Sequence, residues 1–226
     1  MALSWMIRPP PERVARESDD VASNRMNDVR SFRGSVLFDN GRRPHFQTKD
    51  GTFLDDDPAD TYAHHILTYH GERLVGCVRV YCPGVDTPPC VTETLLGEHA
   101  FVLMLEKLGL QRLGVVEIGR WMVDPDHRSS GGLAAQLAAS SAALANALKY
   151  ASETPRDIVL CSVGTIDRQD AMLGRIGLTE LRGVNQIYCS NYEDIVRVFS
   201  CSTIDSLSPR FQRLIMKMAI KLDIGR

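Results

Sequence analysis

The stretch Glu117-Ile118-Gly119-Arg120-Trp121-Met122-Val123-Asp124 runs into Pro125-Asp126-His127-Arg128-Ser129-Ser130-Gly131-Gly132-Leu133 and concentrates chemistry-bearing side chains in one place. A carboxylate and a guanidinium three residues apart can accept a proton, stabilise developing negative charge, or simply pair with each other. The Arg-Ser-Ser-Gly-Gly run then opens a helix. Free N–H groups at a helix start, glycines that admit a ligand to the backbone, and an arginine together make a cradle for a phosphate-bearing group. The same residues also make an ordinary serine-capped helix start, and the segment by itself leaves both readings open. It contains neither G-x-x-x-x-G-K-[ST] nor G-x-G-x-x-G, so neither a P-loop nor a dinucleotide fold is supported. His127 sits just past a strand and reads as incidental. Cys77 and Cys161 stand in apolar strand patterns and read as core residues rather than nucleophiles. A second acidic run, Asp55-Asp56-Asp57-Pro58-Ala59-Asp60, is either a solvated turn or part of the same site.

These residues need elements to hold them. Val115 to Val123 reads as a strand closed by Asp124-Pro125-Asp126, and Leu133 to Ala151 as an Ala-rich helix with Leu133, Leu137, Leu144 and Leu148 on one stripe. Strict alternation along the strand puts Glu117, Gly119 and Trp121 on one face and Ile118, Arg120 and Met122 on the other, so a bulge is needed to unite Glu117 with Arg120. Upstream, residues 1–20 read as a mobile or loosely docked leader, and 21–226 as a single domain. A helical pattern covers Val21 to Phe38, with Gly34 as an interruption. A hairpin joins His64 to Tyr69 with Leu74 to Tyr81 through Gly71-Glu72-Arg73, and a helix spans Glu93 to Leu108 before Gly109. Downstream come a buried strand from Ile158 to Val163, a short helix from Asp167 to Ile176 closed by Gly177, and a last strand pair, Leu178 to Leu181 and Gln186 to Cys189. A final helix follows Ser208-Pro209, with Phe211, Leu214, Ile215, Met218 and Leu222 on its apolar face. Strands alternating with helices predict an α/β domain with a mixed sheet covered by helices.

Composition narrows the class. The chain has 226 residues, 44% apolar and 24% charged, with 17 Gly and 11 Pro, which excludes a disordered, collagen-like or coiled-coil protein. Its net charge of −2 argues against a nucleic-acid binder that works by neutralising phosphates. The six cysteines form no C-x-x-C pair and the histidines no zinc spacing, so reduced thiols and no metal are expected. No apolar run reaches the roughly 20 residues of a membrane span, and the expected location is the cytoplasm.

Arg128-x-x-Gly131-Gly132 before a long helix resembles the pantetheine-phosphate loop of the GNAT acyltransferase superfamily, with Leu133 where Gly or Ala is usual. Asp167 to Gly177 followed by Leu178 resembles that superfamily's last helix and closing turn. Asp57-x-x-Asp60, then Val75-Gly76-x-x-Arg79, then Glu117-x-x-Arg120-Trp121-x-Val123-Asp124 resemble, in order, the blocks shared by acyl-homoserine-lactone synthases and bacterial N-acyl amino acid synthases. The likeness spans roughly residues 30–190. Arg30, Phe32, Arg33 and Phe38 stand where the N-terminal helix of those families supplies an Arg and aromatics, without a firm alignment. Gly119 and Trp121 depart from the Ser and Phe usual in the lactone synthases.

The resemblance implies a GNAT-like splayed mixed sheet and direct acyl transfer from acyl carrier protein or acyl-CoA to a small amine, with no permanent cofactor. Glu117 is the expected base or amine anchor, with Arg120 beside it. Trp121, Met122 and Val123 are expected to offer backbone groups to the thioester, and Arg128, Ser130, Gly131 and Gly132 to hold the phosphopantetheine. Asp57, Asp60 and Arg79 are expected to order the cleft or hold the acceptor. The leading expectation is an N-acyltransferase making long-chain N-acyl amino acids or amides, with acyl carrier protein as partner. Alternatives are a lactone synthase using S-adenosylmethionine, an acetyl-CoA-dependent acetyltransferase, and a non-catalytic acyl-carrier-binding module.

Overall fold

Gly71 takes a φ of +65°, which allows a two-residue turn to join β2 (Ala63–His70) to β3 (Arg73–Tyr81) as an antiparallel hairpin. The computed structural model describes residues 2–10, 19–129, 132–151 and 156–224. Around the hairpin the sheet grows in both directions. On one side β1 (Leu3–Arg8) pairs antiparallel with β2, from Leu3 opposite His70 to Arg8 opposite His65. Within the expected 1–20 leader, Leu3–Arg8 is an edge strand whose alternating exposure is that of a half-covered strand, and residues 11–18 lie outside the described residues. On the other side β4 (Val115–Val123) pairs with β3, then β5 (Ile158–Gly164) runs parallel to β4.

β8 (Asp194–Cys201) pairs antiparallel with β5 and receives both β6 (Thr179–Glu180) and β7 (Ile187–Cys189). The order is β1-β2-β3-β4-β5-β8-β6, with β7 also on β8. Sequence analysis ends the sheet at Cys189 and misses β8. Arg197 interrupts that strand's apolar run, and it is held there by Asp170 at 3.1 Å and Glu180 at 3.0 Å. The result, among the described residues, is an open, mixed eight-stranded sheet flanked by helices.

The helices cover both faces. α4 (Leu133–Ala151) and α6 (Pro209–Lys221) lie on one side, burying Leu133, Leu137, Phe211, Ile215 and Met218 against Ile66, Val78 and Ile118. Each fully buried Leu there stabilises the fold by about 2 kcal/mol. Gly76 of β3 lets α4 come close: a Cβ would sit 2.9 Å from Leu137 Cδ1. α1 (Asp19–Phe38), α2 (Val91–Leu96) and α3 (Glu98–Lys107) cover the opposite face. The single helix expected over Glu93 to Leu108 is two helices, because Gly97 at φ +80° and ψ 148° turns the chain between them. α5 (Gln169–Ile176) ends, as expected, on Gly177 at φ +104°. Among the described residues no helix is long and apolar enough to cross a membrane.

Two features of the sheet prepare a site. β4 and β5 pair only from Val115–Ile158 to Ile118–Cys161 and then diverge, β4 staying with β3 and β5 with β8. In addition, Gly34 does not break α1. It brings the helix against the segment before β2, where a Cβ would lie 2.3 Å from Leu54 N.

Candidate active site

Between Cys77–Met122 and Arg79–Gly119, β3 advances two residues while β4 advances three, so β4 carries a bulge at Arg120-Trp121. Arg120 accommodates it with a left-handed φ of +52°. The extra residue shifts the alternation. Arg120 stays on the side of Glu117, and Trp121 turns into the core with Ile118 and Leu133. Strict alternation, which places Trp121 with Glu117 and Arg120 with Ile118, is thereby overturned by the bulge that the sequence reading named as its exception.

Glu117 is 1% exposed, yet three donors meet its carboxylate. Oε1 accepts from Thr92 N at 2.8 Å and Thr92 Oγ1 at 2.9 Å, and Oε2 accepts from Val91 N at 2.9 Å. These N–H groups are the first of α2, so the carboxylate caps that helix from across the sheet. Arg79 Nη2 stands 3.8 Å from Oε2. Thr92 Oγ1 also meets Ser162 Oγ of β5 at 2.7 Å.

Beside Glu117 lies a buried ionic cluster. Asp57 Oδ2 meets Arg120 Nη2 at 2.5 Å and Arg79 Nη1 at 2.8 Å, while Asp57 Oδ1 accepts from Ala59 N at 2.9 Å. Burial alone would raise the Asp57 carboxyl, but the Arg79 and Arg120 charges and these hydrogen bonds hold it down at about 2. Asp60 takes both terminal nitrogens of Arg33, at 2.9 and 2.6 Å, and Arg79 Nη1 at 3.1 Å. Burial opposes ionisation there too, and the hydrogen bonds and charge of Arg33, with Arg79, overcome it, so its carboxyl lies well below the ordinary range. Arg33 Nε completes the set with Asp55 Oδ2 at 2.9 Å.

Where β4 and β5 part, a cavity of about 320 Å³ opens. Glu117, Arg120, Trp121, Met122, Val123 and Arg128, all expected site residues, line it. Asp57, Asp60 and Arg79 do not; Asp57 binds Arg120 directly, and Arg79 joins Asp57 to Asp60 behind it. Among the described residues no strand pairs with β4 on this edge from Gly119 onward, and Gln169 Nε2 of α5 reaches the Trp121 carbonyl at 3.3 Å. Of the expected phosphopantetheine loop, Ser130 and Gly131 lie outside the described residues. Gly132, at φ +73°, opens α4 and does not line the cavity, whereas the half-exposed Arg128 does. Cys77 and Cys161 are buried in the sheet, and burial raises both thiols, Cys77 to about 12, as suits core residues. His127 sits away from the cavity, 3.4 Å from Asp124 and 3.3 Å from His70. Among the described residues no group of three His, Cys, Asp or Glu side chains is arranged to hold a metal.

Sequence reasoning misses several contributors. Arg33 is present in the helical pattern without an assigned partner. Arg43, Thr92, Ser162, Gln169 and Tyr192 enter only through long-range packing. The Arg120 guanidinium lies 5.3 Å from the centre of the Tyr192 ring.

Residues 38–138, which include Asp57, Asp60, Arg79, Glu117 and Arg120, match the acetyltransferase (GNAT) domain family. This segment, less than half of the chain, is similar to a GNAT acetyltransferase domain. Among curated proteins none matches the sequence. Among solved structures, the chain resembles BjaI, a CoA-dependent acyl-homoserine lactone synthase solved with SAM and isopentyl-CoA. The identity is 15% and the TM-score 0.62, over 100% of this chain and 92% of that one. It also resembles FeeM, an N-acyl amino acid synthase from uncultured soil microbes, at 14% identity and TM-score 0.55 over 90% and 92%. The AHL synthase LasI follows at 14% identity and TM-score 0.51, over 88% of each chain. At these identities the likeness speaks to the fold, and the splayed, bulged sheet is its visible content.

Proposed function

We propose that this acyltransferase moves a long-chain acyl group from acyl carrier protein or acyl-CoA to the amine of an amino acid or similar small amine. The observation that carries the reading is the bulge in β4, which sets Glu117 and Arg120 on one cavity beside a strand edge with no partner. The acyl thioester lies along the arm Trp121-Met122-Val123, where main-chain groups freed from strand pairing meet its carbonyl. Arg128 meets the donor's phosphate, and Ser130, Gly131 and Gly132 are assigned to the same contact on the sequence pattern alone. The amine nitrogen attacks the thioester carbon, the carbon–sulfur bond breaks, and the thiol leaves. The amine's proton passes through a water to Glu117, whose Oε2 keeps a lone pair beyond the bond from Val91. No covalent acyl-enzyme is needed. Asp57, Asp60 and Arg79 serve as positioning residues that fix Arg120 at the cavity wall.

The test is incubation of the purified protein with long-chain acyl carrier protein or acyl-CoA and a pool of amino acids, amines and S-adenosylmethionine, with products read by mass spectrometry. An N-acyl amino acid or amide, lost in Glu117→Ala while donor binding persists, supports the reading. A lactone would replace it with the S-adenosylmethionine reaction, and transfer confined to acetyl-CoA with an acetyltransferase. Donor binding with no product would make the chain a carrier-binding module.

A further inference from the structure

The cavity wall contains a second cation whose situation differs from that of its neighbours. Arg43 is 4% exposed and lines the cavity with Leu37, Arg120 and Tyr192. Among the described residues its hydrogen bonds run to main-chain carbonyls: Nε donates to Tyr192 O, and Nη1 to Leu37 O at 3.3 Å. Among the described residues no carboxylate comes within ion-pair distance of it. The fully buried Arg33 and Arg79 and the more exposed Arg120 are each matched to Asp55, Asp57 or Asp60. The acids that share the cavity with Arg43 are engaged elsewhere. Asp194 accepts from Thr165 N, Thr165 Oγ1 and Ile166 N, and Asp167 faces Arg42 and Arg128. A buried guanidinium bound only by neutral carbonyls is costly to hold. Burial, with the neighbouring Arg42 charge, lowers its pKa below the ordinary value, and the more distant Asp167, Asp194 and Asp39 charges offset this only in part.

We infer that Arg43 is a specificity-determining residue that binds the free carboxylate of the acceptor. This rests on the N-acyltransferase reading above. The acceptor is then an amine carrying a carboxylate, its amino group directed to Glu117 and its carboxylate to Arg43. The anion could instead be a donor phosphate, but Arg128 at the entry to α4 already faces that end. Arg43 sits on the wall formed by the end of α1 and the Tyr192 loop. Its bond to Tyr192 O also ties down that loop, a purely structural role that the test must separate. His45 Nε2 holds the same loop independently, 2.6 Å from Asn191 O.

The experiment measures binding by calorimetry of N-dodecanoyl-phenylalanine and its primary carboxamide to the wild type, Arg43→Gln and Arg43→Lys. The glutamine keeps an N–H donor for the Tyr192 loop and removes the charge. The wild type is expected to prefer the acid by about tenfold or more, the scale of a charge-assisted hydrogen bond in a secluded site. Arg43→Gln should bring the two ligands within about threefold, Arg43→Lys should retain part of the preference, and CoA binding should stay unchanged in all three. Three results overturn the proposal: a wild type without preference for the acid, which needs no variant to fold; an Arg43→Gln protein that weakens both ligands equally; or a loss confined to CoA, which assigns Arg43 to the donor phosphate. Acyl transfer to phenylalanine and phenylalaninamide is measured in parallel. An acid preference abolished by Arg43→Gln without any transfer would leave the carboxylate site standing and remove the acyltransfer reading. Transfer to both acceptors at equal rates, with no preference in binding, would do the reverse.

Discussion

His65 makes the fold sensitive to mild acid, and the size of the effect follows from its surroundings. The imidazole is 1% exposed on β2, directly opposite Arg79 across the hairpin and Arg8 on β1. Its Nε2–H points to the Asp60 carbonyl at 3.2 Å. Burial first, then the charges of Arg33 and Arg79, push its pKa down from 6.5 to about 3, and the Asp60 carboxylate offsets this only in part. The folded protein therefore keeps the ring neutral while the unfolded chain takes up a proton. A depressed pKa contributes stability that is complete above 6.5 and is lost as pH falls towards 3. At about 1.4 kcal/mol per pH unit, the loss between pH 7.5 and pH 5 is about 2 kcal/mol. Asp57 does not confuse this window, because its own depressed carboxyl withdraws stability only between about 4 and about 2. His65→Gln keeps an N–H for the Asp60 carbonyl and cannot titrate. Urea unfolding at pH 7.5 and 5.0 should show the wild type losing about 2 kcal/mol more than the variant, the other histidines being common to both. Parallel losses in the two proteins would refute the reasoning and place a proton on His65 in the fold.

Three further outcomes are expected. Gly34→Ala forces a Cβ to within 2.3 Å of Leu54 N and 2.8 Å of Leu54 Cα, so chemical denaturation should show a loss of about 2 kcal/mol or more, since backbone rather than a flexible side chain must move. Gly119→Ala meets nothing nearer than Glu117 Oε2 at 4.0 Å, so its stability should stay within about 0.5 kcal/mol of wild type. Its added methyl enters the cavity beside Glu117, so kcat/KM for acyl transfer should fall about tenfold or more. Thr92→Val removes the Oγ1 bond donated to Glu117 and the bond Oγ1 accepts from Ser162, and thermal unfolding should report a cost of about 1–2 kcal/mol from a buried carboxylate with one donor fewer and a Ser162 hydroxyl left without its acceptor.

The residues that could be read from the sequence are those whose spacing is itself the signal. Asp57-x-x-Asp60, Arg79 and Glu117-x-x-Arg120 stand out in order along the chain, and the structure brings them to one place. The bulge that unites Glu117 with Arg120 could be named as a requirement but not located, because nothing local marks a left-handed φ at an arginine. Gly34 shows the opposite error. A glycine in a helical pattern reads as an interruption, whereas here it serves the close approach of α1 to Leu54, a contact visible only in three dimensions. β1 and β8 were missed for a related reason. Leu3–Arg8 becomes a strand because the edge of β2 is open to it, and β8 tolerates Arg197 because Asp170 and Glu180 lie opposite. Arg43 finds Tyr192 far along the chain, and no periodicity encodes that meeting.

The bulge also explains why so many charges can be buried in one small region. Without it, Arg120 would point into the apolar layer under α4, and Asp57 would lose two hydrogen bonds from that side chain, at 3.1 and 2.5 Å. With it, three aspartates answer three arginines, and the N-terminus of α2 answers Glu117, so each buried charge in the cluster is met by donors or by an opposite charge. Trp121, displaced to the other face by the same extra residue, fills the apolar layer that Arg120 vacates. One inserted residue thus sets the polarity of both faces of β4 at the point where β5 leaves it. Arg43 falls outside this balance, on the cavity wall facing the cluster. The local geometry of β4 thus balances the charges of the cluster, and the inferred acceptor carboxylate would answer the one cation on the wall that this balance does not include.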